Sequence, residues 1–504
     1  MSDELNYVLQ ARRDKVAALE ARGIAPFAYG FDRSHEAAQC GALLGEAEEG
    51  PVVHLAGRVV AWRAHGKTTF AHLGDPSGRV QVYLKKDVLG EDGYALCDLL
   101  DIGDVIGVHG PLFRTRTGEV TVKVERLELL AKSLRPLPFG KEEVVDGQTV
   151  RHSAFADGEQ RSRQRYADLA VHPEVRALFT ARSKMTTAIR GFLDGLGFLE
   201  VETPVLQPLY GGAAAKPFVT QHNALDMPLF LRIADELYLK RLVVGGFDRV
   251  YEIGHDFRNE GIDRTHNPEF TMLEFYEAYA DYHLMMNRVE ALLIAAATAV
   301  RDSLTAAGLA TDAPAFDPAV LQGPFARMEW LPSLSAGMKV PDVTRLTDAE
   351  LRAAAEKIGV HGVAALSRPK LMDELFQHYV ESKIDRPTFV LDYPKELSPL
   401  AKPKRGNPEL TERFELFARG KEMANAFSEL NDPIDQRQRF EAQARLKAAG
   451  DEEATSVDED YLRAMEYGMP PMGGVGIGID RLFMYLTGTA HIRDVILFPT
   501  MRPE

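Results

Sequence analysis

The spacing of hydrophobic residues predicts a helix at the start of the chain, then short strands, then a long stretch in which helices and strands alternate. Residues 4–22 place Leu5, Val16 and Leu19 on one side of a helix and basic residues on the other, as in an amphipathic helix. From residue 52 the pattern changes to five β-runs within about 80 residues, separated by the turns "DPSG" and "RTG".

Five short strands with no long helix among them, except a possible one near residues 94–100, indicate a small barrel of the OB type. Barrels of this type bind single-stranded nucleic acid by stacking bases on aromatic rings beside basic residues. Arg63, Phe70 and Gln81 are candidates for that role. The alternative, a barrel that serves only as an oligomer contact, stays open on this segment alone.

The rest of the pattern completes an α+β chain of four parts. Residues 1–50 form a helical extension, and residues 51–131 form the barrel. Residues 132–171 are rich in proline and charge and are interpreted as a linker. Residues 172–504 form the main domain, in which the region around 300–395 is a helical insertion.

Composition narrows the class of protein. A chain of 504 residues exceeds one hydrophobic core, so two or three domains are expected. The net charge of −15 argues against a protein that coats nucleic acid non-specifically, although one domain can still bind it. Cys40 and Cys97 match no disulfide or metal spacing, and so few cysteines predict a cytosolic protein. Neither a signal peptide nor a run of about 20 apolar residues is found, so no membrane span is expected.

The stretch "YEIGHDFRNEG" and the following "HNPEFTMLEFYEAYADY" predict a strand, a loop and a returning strand. With a period of two, each strand presents polar and aromatic side chains on one face: Glu252, Asp256, Arg258 and Glu260 on the first, and Phe270, Met272, Glu274 and Tyr276 on the second. A solvated sheet face is the plain alternative, but the large aromatic residues disfavour it.

This hairpin lacks a nucleophile but suits phosphate chemistry. An arginine donates two parallel hydrogen bonds to a phosphate, a phenylalanine offers a flat surface to a purine, and clustered carboxylates bind magnesium next to phosphates. No protein nucleophile is needed when one substrate attacks an activated phosphate of another.

Two later stretches support the same chemistry. "RFELFARGKEMANAFSELND" predicts a second hairpin, carrying Glu415, Glu422, Asn425 and Glu429. By strict alternation Asn425 and Glu429 point to the same face of the strand, whereas Glu422 points to the opposite face. Either the strand has a bulge or Glu422 faces elsewhere. "GGVGIGIDRLF" predicts a glycine-rich strand that leads into a helix, with Arg481 at the junction.

Three segments, in this order, resemble the three motifs of class II aminoacyl-tRNA synthetases: "GFLEVETPVL", "FRNE" and "GVGIGIDR". "GGAAAKPF", "LRIADELYLKRLVVGG" and "FSELNDP" narrow the resemblance to lysyl-tRNA synthetases of the bacterial type. The resemblance covers nearly the whole chain. It implies that lysine and ATP give lysyl-adenylate and pyrophosphate, and that the lysyl group then passes to the 3′ end of tRNA(Lys). It also implies that Mg²⁺ is the cofactor and that the protein is a cytoplasmic homodimer with Pro204 at the interface.

The resemblance also implies a role for individual residues. Arg258 and Arg481 are the catalytic residues, and ATP is bound by Arg258, Glu260, His266, Phe270 and Arg481. Glu415 and Glu422 ligate magnesium. Lysine is bound by Gly212, Glu236, Glu274, Tyr276, Asn425 and Glu429. The anticodon is read by Arg63, Phe70 and Gln81.

The chain departs from the family pattern in two places. Ala424 and Ala426 flank Asn425 where glycines are usual, and their methyl groups are expected to tighten the wall of the lysine pocket. Arg126 aligns where the last barrel strand usually has an anticodon-reading glutamate, so Glu125 or Glu128 is the candidate for that role.

Three other functions are weighed against this one. An aspartyl or asparaginyl synthetase shares the barrel and core but needs a cationic or amide-reading group where this chain has Glu236 and Glu429. A truncated relative that lysylates a protein would lack the barrel. A tRNA-binding or regulatory protein with a dead active site is disfavoured by the intact Arg258, Glu415 and Arg481.

Overall fold

The computed structural model describes residues 3–145, 148–152, 155–309, 323–448 and 455–503. The chain divides into two compact units, Met1–Val171 and His172–Glu504. Each unit has its own hydrophobic core.

The first unit is a closed barrel preceded by a helix. The strands are β1 (Glu49–His65), β2 (Thr68–Gly74), β3 (Arg79–Lys85), β4 (Val105–Arg114), β5 (Val120–Val124) and β6 (Arg126–Ala131), and the helices are α1 (Asp3–Ala21), α2 (Gln39–Leu44) and α3 (Lys86–Ala95). The sheet order is β1-β2-β3-β5-β4-β6, and pairing of β1 with β4 closes it. Leu19 of α1 is fully buried in the barrel core, which explains the amphipathic pattern of that helix.

The barrel differs from the sequence prediction in two details. It has six strands, because the last predicted run is divided at Glu125 into β5 and β6. The first half, β5, pairs with β3 and β4, and the second half, β6, pairs with β4. The helix expected near residues 94–100 begins earlier, at Lys86, bends at Gly90, and is followed by a 3-10 turn at Cys97–Leu99. Gly90 has a φ of 76°, which only glycine adopts at little cost and which the hydrophobic pattern does not reveal.

The segment 132–171, interpreted as a linker, contains regular structure. It holds the hairpin of β7 (Lys141–Val145) and β8 (Gln148–His152) and the helices α4 (Gly158–Arg163) and α5 (Arg165–Val171). Phe155, Ala167 and Val171 form a small core of their own. Short strands made of charged residues resemble a linker in composition, and this explains the difference.

The second unit is built on an eight-stranded sheet of order β15-β16-β19-β20-β21-β14-β13-β9. The strands of the whole unit, which also has the smaller sheets β10-β12-β11 and β17-β18, are β9 (Leu199–Glu200), β10 (Leu206–Gln207), β11 (Val219–His222), β12 (Met227–Leu231), β13 (Arg249–Phe257), β14 (Glu269–Ala278), β15 (Ala326–Glu329), β16 (Thr388–Leu391), β17 (Pro403–Lys404), β18 (Asn407–Thr411), β19 (Arg413–Ala418), β20 (Lys421–Ser428) and β21 (Met472–Gly478). All neighbours in the eight-stranded sheet are antiparallel except β9 with β13 and β15 with β16.

The helices of the second unit pack around this sheet. They are α6 (Pro173–Gly195), α7 (Glu236–Val244), α8 (Tyr282–Ala306), α9 (Trp330–Met338), α10 (Asp348–Lys357), α11 (Arg368–Tyr379), α12 (Pro433–Ala448), α13 (Glu459–Glu466) and α14 (Ile479–Thr487). By length and composition alone α8 could cross a membrane, although Arg288 and Glu290 interrupt its apolar residues. Its buried residues, among them Met285, Val289 and Leu292, belong to the main core of the unit, as expected for a core helix.

The predicted insertion around residues 300–395 has its own core. Helices α9, α10 and α11 surround Trp330, whose ring stacks on that of Phe376 with 5.0 Å between the ring centroids. Residues 310–322, which the insertion was expected to include, lie outside the described residues.

Candidate active site

The first predicted hairpin is present as β13 and β14. Glu252 lies opposite Glu274, and Asp256 lies opposite Phe270, so their side chains share one face of the sheet. The prediction that Arg258 and Glu260 continue this strand is wrong, because β13 ends at Phe257 and both residues lie in the loop that follows. Leaving the strand places them above the sheet face, where they still line the same cavity as Phe270 and Glu274.

The second hairpin shows why Glu422 and Asn425 lie on the same side of their strand. Between β19 and β20 the register shifts at Met423, so that Asn425 lies opposite Glu415 and Glu422 lies opposite Phe417. This β-bulge turns Glu422 to the side of the strand that carries Asn425, which strict alternation does not allow.

The two alanines that flank Asn425 do not line the cavity. Ala424 and Ala426 are 1% exposed and belong to the main core on the opposite side of the sheet. The expectation that their methyl groups tighten the lysine pocket is therefore wrong, because neighbouring residues of a strand point to opposite faces.

One cavity of about 330 Å³ lies over the centre of the sheet. Every side chain and backbone position predicted for ATP, lysine or metal lines it: Gly212, Glu236, Arg258, Glu260, His266, Phe270, Glu274, Tyr276, Glu415, Glu422, Asn425, Glu429 and Arg481. These residues come from segments up to 269 positions apart in sequence, between Gly212 and Arg481. Arg413, Phe427 and Asp480 also line the cavity and were not predicted.

One end of the cavity is cationic and aromatic. The Arg258 guanidinium lies over the Phe270 ring, 5.1 Å from its centroid, and the buried Nε of Arg258 has no hydrogen-bond partner among the described residues. Arg481 Nη2 lies 3.0 Å from His266 Nε2, and Nδ1 of the same ring lies 2.8 Å from Asp263 Oδ2. Free guanidinium donors beside a half-buried ring can bind a phosphate next to a flat base.

The helix that carries Arg481 is fixed from below by its neighbour Asp480. Asp480 accepts hydrogen bonds from Arg182 Nη1 at 2.5 Å and from the backbone N–H of Thr271 at 2.8 Å. These bonds join α6, β14 and the first turn of α14. Arg481 is consequently held at the edge of the cavity, with its Nη1 3.6 Å from Glu422 Oε2.

Carboxylates gather on the β19–β20 side of the cavity. Glu415 accepts hydrogen bonds from Arg413 Nη2 at 2.5 Å and from the Tyr393 hydroxyl at 2.8 Å, and Arg413 Nε also donates to Asn425 at 3.0 Å. Burial raises the pKa of Glu415 to about 7; Arg413 opposes this, and Glu422 adds to it. Two neighbouring carboxylates attract a cation between them.

That pair is a minimal set of metal ligands. Among the described residues no group of three or more His, Cys, Asp and Glu side chains has the geometry to hold a metal ion by itself. Oxygen donors in a pair, next to the phosphate end of the cavity, fit magnesium, which takes only one or two protein carboxylates and completes its shell with water and phosphate.

The opposite end of the cavity is acidic and closed. Tyr276 donates a hydrogen bond to Glu274 Oε2 at 2.8 Å, and burial, Glu236 and Asp256 raise the pKa of Glu274 to about 8. Gly212 has a φ of 90°, and a Cβ there would lie 3.0 Å from that of Ala234. A glycine is therefore needed for the backbone to pass this close to the acidic end.

A buried lysine that the sequence analysis did not single out lies behind this end. Lys240 Nζ forms ion pairs with Glu236 and with Glu429, and its side chain is fully buried. The sequence "ELYLK" places Glu236 and Lys240 four residues apart on one helix face, so their ion pair could be predicted. That spacing is typical of an exposed pair, however, and does not indicate burial.

A second unpredicted group packs on the same face of β13 as Glu252 and Asp256. Arg232 is buried and pairs with Asp235 at 2.8 Å, Glu252 at 2.6 Å and Asp256 at 3.3 Å. A Cβ on Gly254 would overlap the Arg232 guanidinium, so this strand position admits only glycine. The network fixes the strand from which Arg258 emerges.

The barrel has a polar and aromatic outer face on β1, β2, β3 and β5. Arg63 lies opposite Phe70, which lies opposite Tyr83, and the Phe70 and Tyr83 ring centroids are 4.8 Å apart. Gln81 lines a separate cavity on this face together with Arg63. The three residues predicted for nucleic-acid contact are thus on one surface, with Tyr83 as an unpredicted neighbour.

The acidic residue of this face is Glu119. Its carboxylate accepts a hydrogen bond from Gln81 Nε2 at 2.6 Å and lies 2.8 Å from His72 Nε2. Glu125 separates β5 from β6, and Glu128 pairs with Arg126 at 2.7 Å on β6, which pairs with β4. That one of these two residues reads the anticodon stays a prediction. Glu119 directly follows the "RTG" turn and was not singled out from the sequence.

Comparison with known proteins gives one consistent family. The model described as "tRNA synthetases class II (D, K and N)" matches residues 157–502, and the model described as "OB-fold nucleic acid binding domain" matches residues 53–130. A lysine–tRNA ligase of Carboxydothermus hydrogenoformans is 51% identical over 99% of both chains. The lysine–tRNA ligase of Pelotomaculum thermopropionicum is 50% identical over 100% of this chain and 96% of its own length. That of Moorella thermoacetica is also 50% identical, over 99% of this chain and 98% of its own length.

Proposed function

Because the chain belongs to the class II tRNA synthetases, and within them to the lysine–tRNA ligases, we propose that its central cavity joins lysine to AMP and that the lysyl group then passes to tRNA(Lys). The observation that carries the residue assignment is the convergence of the predicted ATP, lysine and metal residues on one cavity.

The cationic end takes the nucleotide. Arg258 binds the α-phosphate and the substrate carboxylate, which brings the attacking oxygen and the phosphorus together and neutralises the charge that develops between them. Phe270 and Arg481 hold the two faces of the adenine ring, and Glu260 and His266 bind the edge of the base and the outer phosphates. The free donors of Arg258 over the Phe270 ring support this orientation.

The acidic end takes the side chain of lysine. Glu236, Tyr276 and Glu429 surround the ε-ammonium, and Gly212, Glu274 and Asn425 surround the α-ammonium end. Burying an ammonium requires carboxylate partners, and the same carboxylates stay unpaired when a neutral or acidic side chain enters. This end therefore disfavours aspartate and asparagine, the other amino acids of the matched family model.

Glu415 and Glu422 are the residues that would hold Mg²⁺. The ion would neutralise phosphate oxygens while pyrophosphate leaves. Glu415 is positioned for this by Arg413 and Tyr393, which fix both of its oxygens. Arg413 thereby links the metal carboxylate to Asn425 at the lysine end.

The outer face of the barrel reads the anticodon. Phe70 and Tyr83 provide rings for base stacking, and Arg63 provides charge for the backbone. Gln81 and Glu119 provide a donor and an acceptor for base edges. The protein acts as a cytoplasmic homodimer, with Pro204 in the subunit interface.

The first experiment is amino-acid-dependent ATP–pyrophosphate exchange with each of the twenty amino acids, with and without magnesium. Exchange with lysine alone, and only with magnesium, is the expected result. Exchange with aspartate or asparagine would contradict the assignment of the acidic end. No exchange with any amino acid would favour the alternative of a tRNA-binding protein with an inactive cavity.

A further inference from the structure

Lys240 places an ammonium of the protein itself behind the end of the cavity assigned to a substrate ammonium. Its Nζ pairs with both Glu236 and Glu429, and lies 5.3 Å from the ring centroid of Phe427 and 5.9 Å from that of Tyr276. The side chain has no exposed surface. Helix α7 fixes its origin four residues after Glu236, so it stays in place behind the two carboxylates that line the cavity.

The charges around Lys240 leave one negative charge unmatched. Two carboxylates face a single ammonium, and Lys240 contacts Glu429 through Oε2. Glu429 Oε1 is buried, has no hydrogen-bond partner among the described residues, and belongs to a side chain that lines the cavity.

In the part of the chain that the structure describes, the other polar groups near Glu429 are bound elsewhere. Arg413 is bound to Glu415 and Asn425, and the Tyr276 hydroxyl is bound to Glu274. The Tyr461 hydroxyl, on α13, faces Met469 Sδ at 3.8 Å.

We propose that Lys240 is a specificity-determining residue for the amino-acid substrate, because its ammonium neutralises one of the two carboxylates and leaves a single negative charge, at Glu429, for one substrate ammonium. The proposal rests on the proposed function and deepens it. A substrate with one cationic side chain makes the buried end neutral, whereas a neutral side chain leaves a buried charge without a partner.

The electrostatics of the cluster agree with this geometry. Burial lowers the pKa of Lys240, but Glu236 and Glu429 more than offset that effect, so the pKa of Lys240 lies above its ordinary value and the side chain stays charged. Burial raises the pKa of Glu429 well above its ordinary value, Lys240 opposes this, and Glu236 and Glu274 add to it. Without Lys240, both carboxylates would retain their protons to a higher pH, and lysine would have to displace one of these protons.

The test compares the wild type, Lys240→Met, Glu236→Gln and the double variant in lysine-dependent ATP–pyrophosphate exchange between pH 6.5 and 9. Lys240→Met is expected to raise the KM for lysine on the order of 100-fold at pH 7, the loss expected when a buried ion pair is broken, with a smaller change in kcat. The KM of this variant is expected to fall as the pH rises, because its carboxylates ionise only then.

Charge balance predicts rescue. In Glu236→Gln alone, Lys240 and Glu429 neutralise each other, so lysine binding is expected to weaken. The double variant again has one net negative charge and is expected to bind lysine at least about tenfold better than Lys240→Met. Should Lys240→Met fail to fold, the charge-balanced double variant carries the test by itself. A folded double variant with no measurable lysine binding would overturn the proposal, as would an equal rise in KM at every pH without rescue.

The matched control is Lys132→Met. Lys132 is another fully buried ammonium between two carboxylates, with Asp101 at 2.5 Å and Asp104 at 2.8 Å, in the first unit. Its replacement is expected to lower thermal stability and leave the KM for lysine unchanged. Wild-type protein that shows no lysine-dependent exchange would contradict the proposed function itself, an outcome distinct from any difference between the variants.

Discussion

The backbone of Gly474 passes so close to Glu429 that a Cβ on the glycine would overlap both Glu429 Oε1 and the Tyr276 ring. Gly474→Ala is therefore expected to close the acidic end of the cavity and to raise the KM for lysine by about 10- to 100-fold, the cost of overpacking one methyl group. The KM for ATP is expected to change little. Both constants can be measured by pyrophosphate exchange.

Gly476 is the matched control for that substitution. It lies two residues further along β21, and a Cβ there would meet its nearest atoms, Glu274 Cγ and the Asn425 carbonyl oxygen, at 3.9 and 4.0 Å. Gly476→Ala is expected to leave the KM for lysine within about threefold of the wild type, because such distances are ordinary contacts. Equal effects of the two substitutions would show that strand flexibility, rather than cavity space, is being measured.

Glu429→Gln removes the charge that faces the substrate ammonium. Lysine discrimination is expected to fall severely, with kcat/KM for lysine reduced on the order of 100-fold or more, because a buried ammonium then lacks its partner. The measurement is kcat/KM for lysine and for its neutral analogue norleucine. Glu441→Gln, at an exposed position of α12, is the control, and unchanged lysine kinetics in Glu429→Gln would remove Glu429 from the pocket.

Phe70→Ala is expected to separate the two steps of the reaction. Loss of one base-stacking ring is expected to reduce kcat/KM for tRNA about 5- to 150-fold, while pyrophosphate exchange stays at the wild-type rate. Tyr29→Ala removes a fully exposed ring of the same unit and serves as the control. Equal tRNA kinetics in the two variants would argue for the alternative in which the barrel is only an oligomer contact.

Glu381 makes the stability of the second unit depend on pH. Burial raises the pKa of Glu381 to about 7, and Glu422 and Asp373 add to the effect. The folded state therefore binds more protons than the unfolded state between pH 4.5 and 7, so this residue destabilises the fold increasingly as the pH rises through that window.

Glu381→Gln is accordingly expected to raise Tm at pH 8 by about 1–2 °C, a figure discounted for the partial exposure of the side chain, and to leave Tm unchanged near pH 4.5. Differential scanning calorimetry at both pH values measures the difference. Glu356→Gln, at an exposed position of α10, provides the control. A lower Tm at pH 8 would mean that Glu381 is stabilised by partners and that its ionisation carries no penalty.

The sequence was informative where side-chain alternation is regular. Phe270, Glu274 and Tyr276 alternate along β14, so their common face could be predicted from period two alone. Arg258, Glu260 and Glu422 needed information that alternation lacks, because a strand end and a bulge depend on which partner strand continues the hydrogen bonding.

Residues outside the motifs were hardest to assign. Lys240 stands in an ordinary helical pattern, and only the packing of α7 against β14 shows that its ammonium is buried. Glu119 lies at a turn, where an acidic residue normally contacts water. Its pairing with Gln81 depends on the parallel contact between β3 and β5, which joins strands distant in sequence.

The bulge at Met423 makes the orientation of Glu422 depend on chain length as well as on residue type. If the strand lost the bulge but kept all its residues, strict alternation would turn Glu422 towards the hydrophobic core, whereas deletion of Met423 would leave Glu422 two positions from Asn425 and therefore on the same face. A substitution scan of this strand cannot detect that dependence, because no exchange of one side chain for another alters the number of residues between Glu422 and Asn425. Deletion of Met423 is therefore expected to keep Glu422 at the cavity and to cost only the packing of one buried side chain.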